Sequence, residues 1–208
     1  MCVSLSAGYN LTSSIPNDLF DNLTELISLS LGSNSITGSL PETLSVLTNL
    51  EILSLGNNRF TNSIPSSLSN LKKLRVLKLG RSDTSHLQFV PSNGYFISDD
   101  EVAALEAYAN SNFEPDAESE SALAAFPTRN DRLNGTLPPT LMDLPLLETL
   151  DIQRQAISGP LLSFDNFVTP QPQLKHLNLS GNDLTGTIPS SIANSPSLVT
   201  LRDRKSVV

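Results

Sequence analysis

The chain has 208 residues, with 13 Lys and Arg against 21 Asp and Glu for a formal charge of −8. That balance argues against nucleic acid, whose phosphates demand basic clusters, and the lone Cys2 leaves no internal disulfide framework and no Cys-based zinc site. Leucine (36), serine (30) and asparagine (18) supply 84 of the residues, a bias too leucine-rich for disorder and too regular for an ordinary enzyme.

An internal repeat organises the chain from its first residues. Leu5 opens a loose copy that reads one residue longer, to Pro16, than the run from Leu31 to Pro41. Two faithful copies follow, LTELISLSLGSNSITGSLPETLSVLTN from Leu23 and LTNLEILSLGNNRFTNSIPSSLSNLKK from Leu47. Leu26, Leu50 and Leu74 answer to one another at intervals of 24 residues, and Leu174 and Leu198 repeat that interval. The unit is L-x-x-L-x-L-x-x-N-x-L/I/F, then x-x-x-I/L-P-x-x-L-x-x-L. Leu29, Leu31, Asn34 and Ile36 fill it once, and Leu53, Leu55, Asn58 and Phe60 fill it again. Leu177, Leu179, Asn182 and Leu184 make a third copy.

The spacing dictates a fold. The L-x-L segment alternates with period two, so its leucines face inward and the intervening residues face solvent. One such strand cannot bury its apolar face alone; stacked copies make a parallel sheet over a continuous leucine core. The Asn falls where the chain turns out of the strand, and its amide is placed to bond the backbone of adjacent coils. Pro41, Pro65, Pro138 and Pro189 fix an extended segment on the far side of each coil.

The middle of the chain interrupts the period. Leu74 and Leu147 are 73 residues apart, one repeat plus 49. Deleting Ser82 to Asn130 joins LKLGR to DRLNGTLPPTLMDL in register, with Asp131 at the Asn position and Leu133 at the next apolar one. Residues 82–130 are therefore an inserted island between repeats at 1–81 and 131–208. The island, with Arg81, Asp131 and Arg132, carries ten acidic and three basic residues, a net of −7. SDDEVAALEAYAN reads as a short helix, with Ser98 and Glu101 as a capping box. The following EPDAESES is too polar to pack and reads as disordered loop. Phe89, Val90, Tyr95, Phe96 and Ile97 are more apolar than solvation needs, and Phe89, Tyr95 and Phe96 are candidate partner contacts.

Later copies depart from the pattern. Gln155 stands at an Asn position, SGPLLSF replaces the S/T-G-x-I-P segment, and three extra residues precede Leu174. Asp203 stands where a leucine is due, so the last repeat reads as truncated and the chain as a piece of a longer protein.

GSNSITGSLP, GNNRFTNSIP and SGNDLTGTIP closely resemble the L-x-x-N-x-L-x-G-x-I-P signature of plant-type leucine-rich repeats. The resemblance covers roughly three quarters of the chain, all but the middle. It implies an α/β solenoid: a right-handed superhelix of about six 24-residue coils, with a concave parallel β-sheet and a shorter strand set near the I-P segments. Neither end carries the cysteine-containing caps typical of the secreted family.

No catalytic signature is present: no phosphate-binding glycine loop, no nucleophile elbow and no zinc-binding histidine pair. Asp99, Asp100 and Glu101 lack the spacing of a calcium loop. No cofactor or metal is implied. Solvent positions beside the core leucines give Ser28, Ser30, Ile52, Ser54, Asn57, Val76, Lys78 and Arg81. After the island come Thr149, Asp151, Gln153, Arg154, His176, Asn178 and Ser180. Lys78, Arg81, Asp151, Gln153, Arg154 and His176 are the candidate ligand-binding residues of this concave face. Four N-x-S/T sequons, at Asn10, Asn22, Asn134 and Asn178, are candidate glycosylation sites and point to secretion. No signal peptide and no apolar run of membrane-spanning length is visible, so any membrane attachment falls to segments outside these residues.

The resemblance implies a non-catalytic recognition module: a fragment of a receptor-like ectodomain acting in cell-surface signalling, with a peptide, protein or glycan as ligand. A secreted cell-wall-enzyme inhibitor of the polygalacturonase-inhibitor type and an intracellular repeat scaffold are the alternatives.

Overall fold

The computed structural model describes residues 4–7, 11–81, 88–90, 95–97, 132–160, 173–186 and 196–202. Within it the chain divides into two compact units, residues 1–81 together with 132–208, and residues 82–131.

The first unit is a parallel β-solenoid. Seven three-residue strands form its long sheet: β1 (Ser4–Ser6), β2 (Ser28–Ser30), β4 (Ile52–Ser54), β6 (Val76–Lys78), β10 (Thr149–Asp151), β12 (His176–Asn178) and β14 (Thr200–Arg202), in that order. The middle residue of every strand is leucine, and the register stacks Leu5, Leu29, Leu53, Leu77, Leu150, Leu177 and Leu201. Leu29, Leu53, Leu77 and Leu150 are fully buried. Burial of such a side chain is worth about 1.5–3 kcal/mol, so this ladder is the backbone of the core. Leu77 pairs directly with Leu150 although 73 residues separate them.

The first coil differs from its sequence reading. Leu5 pairs with Leu29 rather than with the Leu31 position, and Ala7 takes the Leu31 slot, its carbonyl accepting Asn34 Nδ2 at 3.0 Å. Measured from the paired leucines, the coil is one residue shorter than the next, not longer.

β2 and β4 are each followed by a turn, a second short strand and a 3₁₀ turn. The second strands are β3 (Thr37–Ser39) paired with β5 (Arg59–Thr61), and β9 (Asn134–Thr136), β11 (Ala156–Pro160) and β13 (Asp183–Thr185), joined through β11. Gly38, Gly135, Gly159 and Gly186 lie in the left-handed region there, and Asn62 takes the same slot with φ 63°; Asn tolerates that conformation better than other non-glycine residues. The 3₁₀ turns η1 (Glu42–Val46), η2 (Ser66–Asn70) and η3 (Pro139–Asp143) start after Pro41, Pro65 and Pro138, whose backbones are extended. They bury Leu44, Leu68 and Leu141 completely.

The asparagine ladder locks coil to coil. Asn58 donates from Nδ2 to the carbonyls of Leu31 and Leu55, both at 2.9 Å, and its Oδ1 accepts the Ile36 N–H at 3.0 Å. Asn34 and Asn182 repeat the arrangement. Gln155 serves in the same way one methylene further out: Oε1 accepts Leu133 N–H at 2.9 Å and Nε2 donates to Leu79 O at 3.0 Å.

A charged row runs along the residues that precede the strands. Glu148 accepts from Arg75 Nε at 2.7 Å and from Lys175 Nζ at 2.7 Å. The hydrogen bond from Lys175, then that from Arg75, holds its carboxyl below the usual range. A depressed folded-state value contributes stability above the unfolded value and loses it as pH falls through the folded one. Glu148→Gln is therefore expected to lower the denaturation midpoint at neutral pH, with the two proteins converging in acid. Parallel midpoint curves across that range would sink this assignment.

In the second unit, β7 (Gln88–Val90) and β8 (Tyr95–Ile97) pair antiparallel with Phe89 opposite Phe96. The helix and polar loop expected after Ser98 lie outside the described residues.

Candidate functional site

With leucine central in every strand of the long sheet, the first and third residues face away from the core. The register sets them in two rows: Ser28, Ile52, Val76, Thr149, His176 and Thr200, and beside it Ser30, Ser54, Lys78, Asp151 and Asn178. The early strands present hydroxyls and the 40% exposed Ile52; charge begins at Lys78.

The later strands share an open depression of about 370 Å³. It is lined by Val76 and Lys78 from β6, Thr149, Leu150 and Asp151 from β10, His176, Leu177 and Asn178 from β12, and Thr200 from β14. Asp151 turns its carboxylate back on its own chain: Oδ1 accepts the Gln153 N–H at 3.2 Å and Oδ2 accepts from Gln153 Nε2 at 3.4 Å. Asn178 does likewise, its Oδ1 accepting from Ser180 N at 3.4 Å and Ser180 Oγ at 2.8 Å. His176 Nδ1 lies 3.3 Å from Thr200 Oγ1.

Three of the six candidate residues, Lys78, Asp151 and His176, thus line one depression. The others stand elsewhere. Gln153 is buried, 9% exposed, where the alternating pattern places it in solvent; it follows the strand, past the point where period two applies. Arg81 and Arg154 are half-buried and outside this lining. Arg154 sits in the left-handed region with φ 55°, the slot filled by Ser33, Asn57 and Gly181 in other coils. That slot is a turn before the ladder residue, so Arg154 is directed by backbone geometry rather than by strand alternation. Thr200 was not singled out by sequence, although one further 24-residue step from His176 locates it.

Among the sequons, Asn22 and Asn134 are exposed, Asn178 is half-buried in the depression, and Asn10 lies outside the described residues. Phe89, Tyr95 and Phe96 lie on β7 and β8. Among the described residues, no three His, Cys, Asp or Glu side chains are grouped to hold a metal, and no helix is long and apolar enough to cross a membrane.

A family model described as Leucine rich repeat matches residues 3–60, and a second of the same description matches residues 173–195. Residues 3–60 and 173–195 are leucine-rich repeats. No curated protein matches this chain, but solved structures do. It is similar to the matched chain of the PEPR1–AtPEP1 crystal structure, at 26% identity and a TM-score of 0.58 over 97% of this chain and 24% of that one. The plant peptide hormone receptor RGFR1, solved with RGF2, shares the fold at 23% identity and a TM-score of 0.59, covering 92% and 25%. Pollen receptor kinase 3 gives a TM-score of 0.63 at 22% identity, covering 99% and 76%. The chain therefore spans about a quarter of the length of the first two matched chains.

Proposed function

We propose that this protein is a non-catalytic recognition module that binds a peptide or protein across the open face of its long sheet, as part of an extracellular receptor-like protein in cell-surface signalling. The observation that carries this reading is the depression spanning four strands, where Lys78, Asp151, His176 and Asn178 converge on a rigid leucine-backed scaffold. Chemically varied groups at fixed spacing on a stiff surface suit recognition. Two similar folds, RGFR1 with RGF2 and PEPR1–AtPEP1, were solved as complexes, which favours a peptide. The exposed sequons at Asn22 and Asn134 favour an extracellular setting.

A displayed peptide library selected on the purified chain tests this. Enriched peptides are expected to bind a Lys78→Glu/Asp151→Lys variant at least about tenfold more weakly. Equal binding to both proteins, or no enrichment, overturns the reading. The same assay on a chain lacking residues 82–130 reports whether Phe89, Tyr95 and Phe96 take part.

A further inference from the structure

We propose that Asn178 is an N-glycan acceptor and that its glycan closes the depression on the long sheet. This rests on the recognition reading above and adds how that site is regulated.

The asparagines of the solenoid spend their amides in two ways. Asn58 and Asn182 commit Nδ2 to carbonyls of two successive coils, Leu31 and Leu55 in one case, Ile152 and Leu179 in the other. A sugar on that nitrogen would force the coils apart. Asn178 is held by its other atom. The Ser180 backbone N–H can only donate, so what it meets at 3.4 Å is the Asn178 amide oxygen, which Ser180 Oγ also reaches at 2.8 Å. Nδ2 has no hydrogen-bond partner among the described residues. The nitrogen that takes a sugar is thus unspent, and the residue lines the open depression.

Ser180 is also the third residue of the sequon Asn178–Leu179–Ser180. In the transfer, Nδ2 displaces pyrophosphate from the anomeric carbon of a lipid-linked oligosaccharide. The N–C bond forms, the C–O bond to the pyrophosphate breaks, and Nδ2 releases one proton to solvent. The product keeps one amide hydrogen and both hydrogen bonds that hold Asn178 in the fold. Its first sugar lies beside Asp151, the register partner of Asn178. A hollow of about 370 Å³ is at the small end for a single ligand, and a glycan and a peptide cannot share it. Asn22 and Asn134 are exposed outside that lining, so sugars there leave the hollow open.

The test compares the full chain secreted from a glycosylating eukaryotic cell, behind a cleaved leader, with the chain made in bacteria. Peptide mass mapping after enzymatic deglycosylation in heavy-oxygen water is expected to mark Asn178 in the folded secreted protein. An unmarked Asn178 overturns the proposal. Peptides selected on the bacterial chain are expected to bind the secreted chain at least about tenfold more weakly. Ser180 lies outside the lining, and Ser180→Ala, which ends the sequon, is expected to restore binding by the secreted chain. Thr12→Ala/Thr24→Ala/Thr136→Ala leaves Asn178 with the one sequon of the chain and is expected to keep the loss. Equal binding by the bacterial chain and this secreted triple variant overturns closure while the recognition reading stands. No enrichment on the bacterial chain removes that reading and closure with it, and mass mapping still reports Asn178 by itself.

Discussion

Replacing Asn58 by leucine is expected to destabilise the protein by about 3–5 kcal/mol, because an unpartnered buried polar group costs about 1–3 kcal/mol and this one change touches three. The side chain is 6% exposed and bonds the Leu31 and Leu55 carbonyls and the Ile36 N–H, which belong to two successive coils. Leucine is of similar size but offers neither donor nor acceptor, and no water reaches a site this closed without opening the turn. Asn49 is the control. It donates to Thr24 O at 3.0 Å and accepts from Lys73 Nζ at 2.7 Å, yet it is half-buried, so water replaces what is lost. Asn49→Leu is expected to cost under about 1 kcal/mol. Urea denaturation of both variants measures the contrast, and equal midpoints would show that the ladder does not hold the coils together.

The leucine ladder was readable from sequence because its signal is periodic, and a strand three residues long leaves no freedom over which residue points inward. Asn34, Asn58 and Asn182 were readable for the same reason: a polar residue at one fixed phase of an apolar repeat has few places to go. Gln155 looked like a departure, but its amide carries the same donor and acceptor and spans the extra methylene. The first coil was misaligned because Leu5 fits two slots of the pattern, and only pairing with Leu29 decides between them. The site was less legible. Period two assigns a side of the sheet, but not where a side chain leans, and the turning back of Asp151 and Asn178 onto their own chains depends on turn geometry after the strand. Arg154 and Gln153 lie in that turn, where no period applies. The β7–β8 pair carried a signal that was left unused: QFV and YFI are short runs rich in β-formers on either side of Pro-Ser-Asn-Gly.

Gly56→Ala is the second large effect, at about 3 kcal/mol. Gly32, Gly56 and Gly80 follow Leu31, Leu55 and Leu79, the leucines just past successive strands, and stack on one another. A Cβ on Gly56 would lie 2.4 Å from the Gly80 carbonyl oxygen. That oxygen belongs to the backbone of the next coil and accepts the Asn57 N–H at 3.1 Å, so it cannot swing aside as a side chain would. The coils must separate, stretching the bond that Leu55 N–H gives to Lys78 O at 2.8 Å. Gly32→Ala is the matched comparison, because its Cβ would meet Gly56 O at 3.2 Å, a contact relieved by a few tenths of an ångström. Alanine also restricts the unfolded chain, a gain of about 0.4–1 kcal/mol that offsets such a small strain. Gly32→Ala is therefore expected within about 1 kcal/mol of the parent. Equal denaturation midpoints for the two alanine variants would mean that the coils give way at Gly80 as readily as at Gly56, and the rigid scaffold assumed for the binding face would go with them.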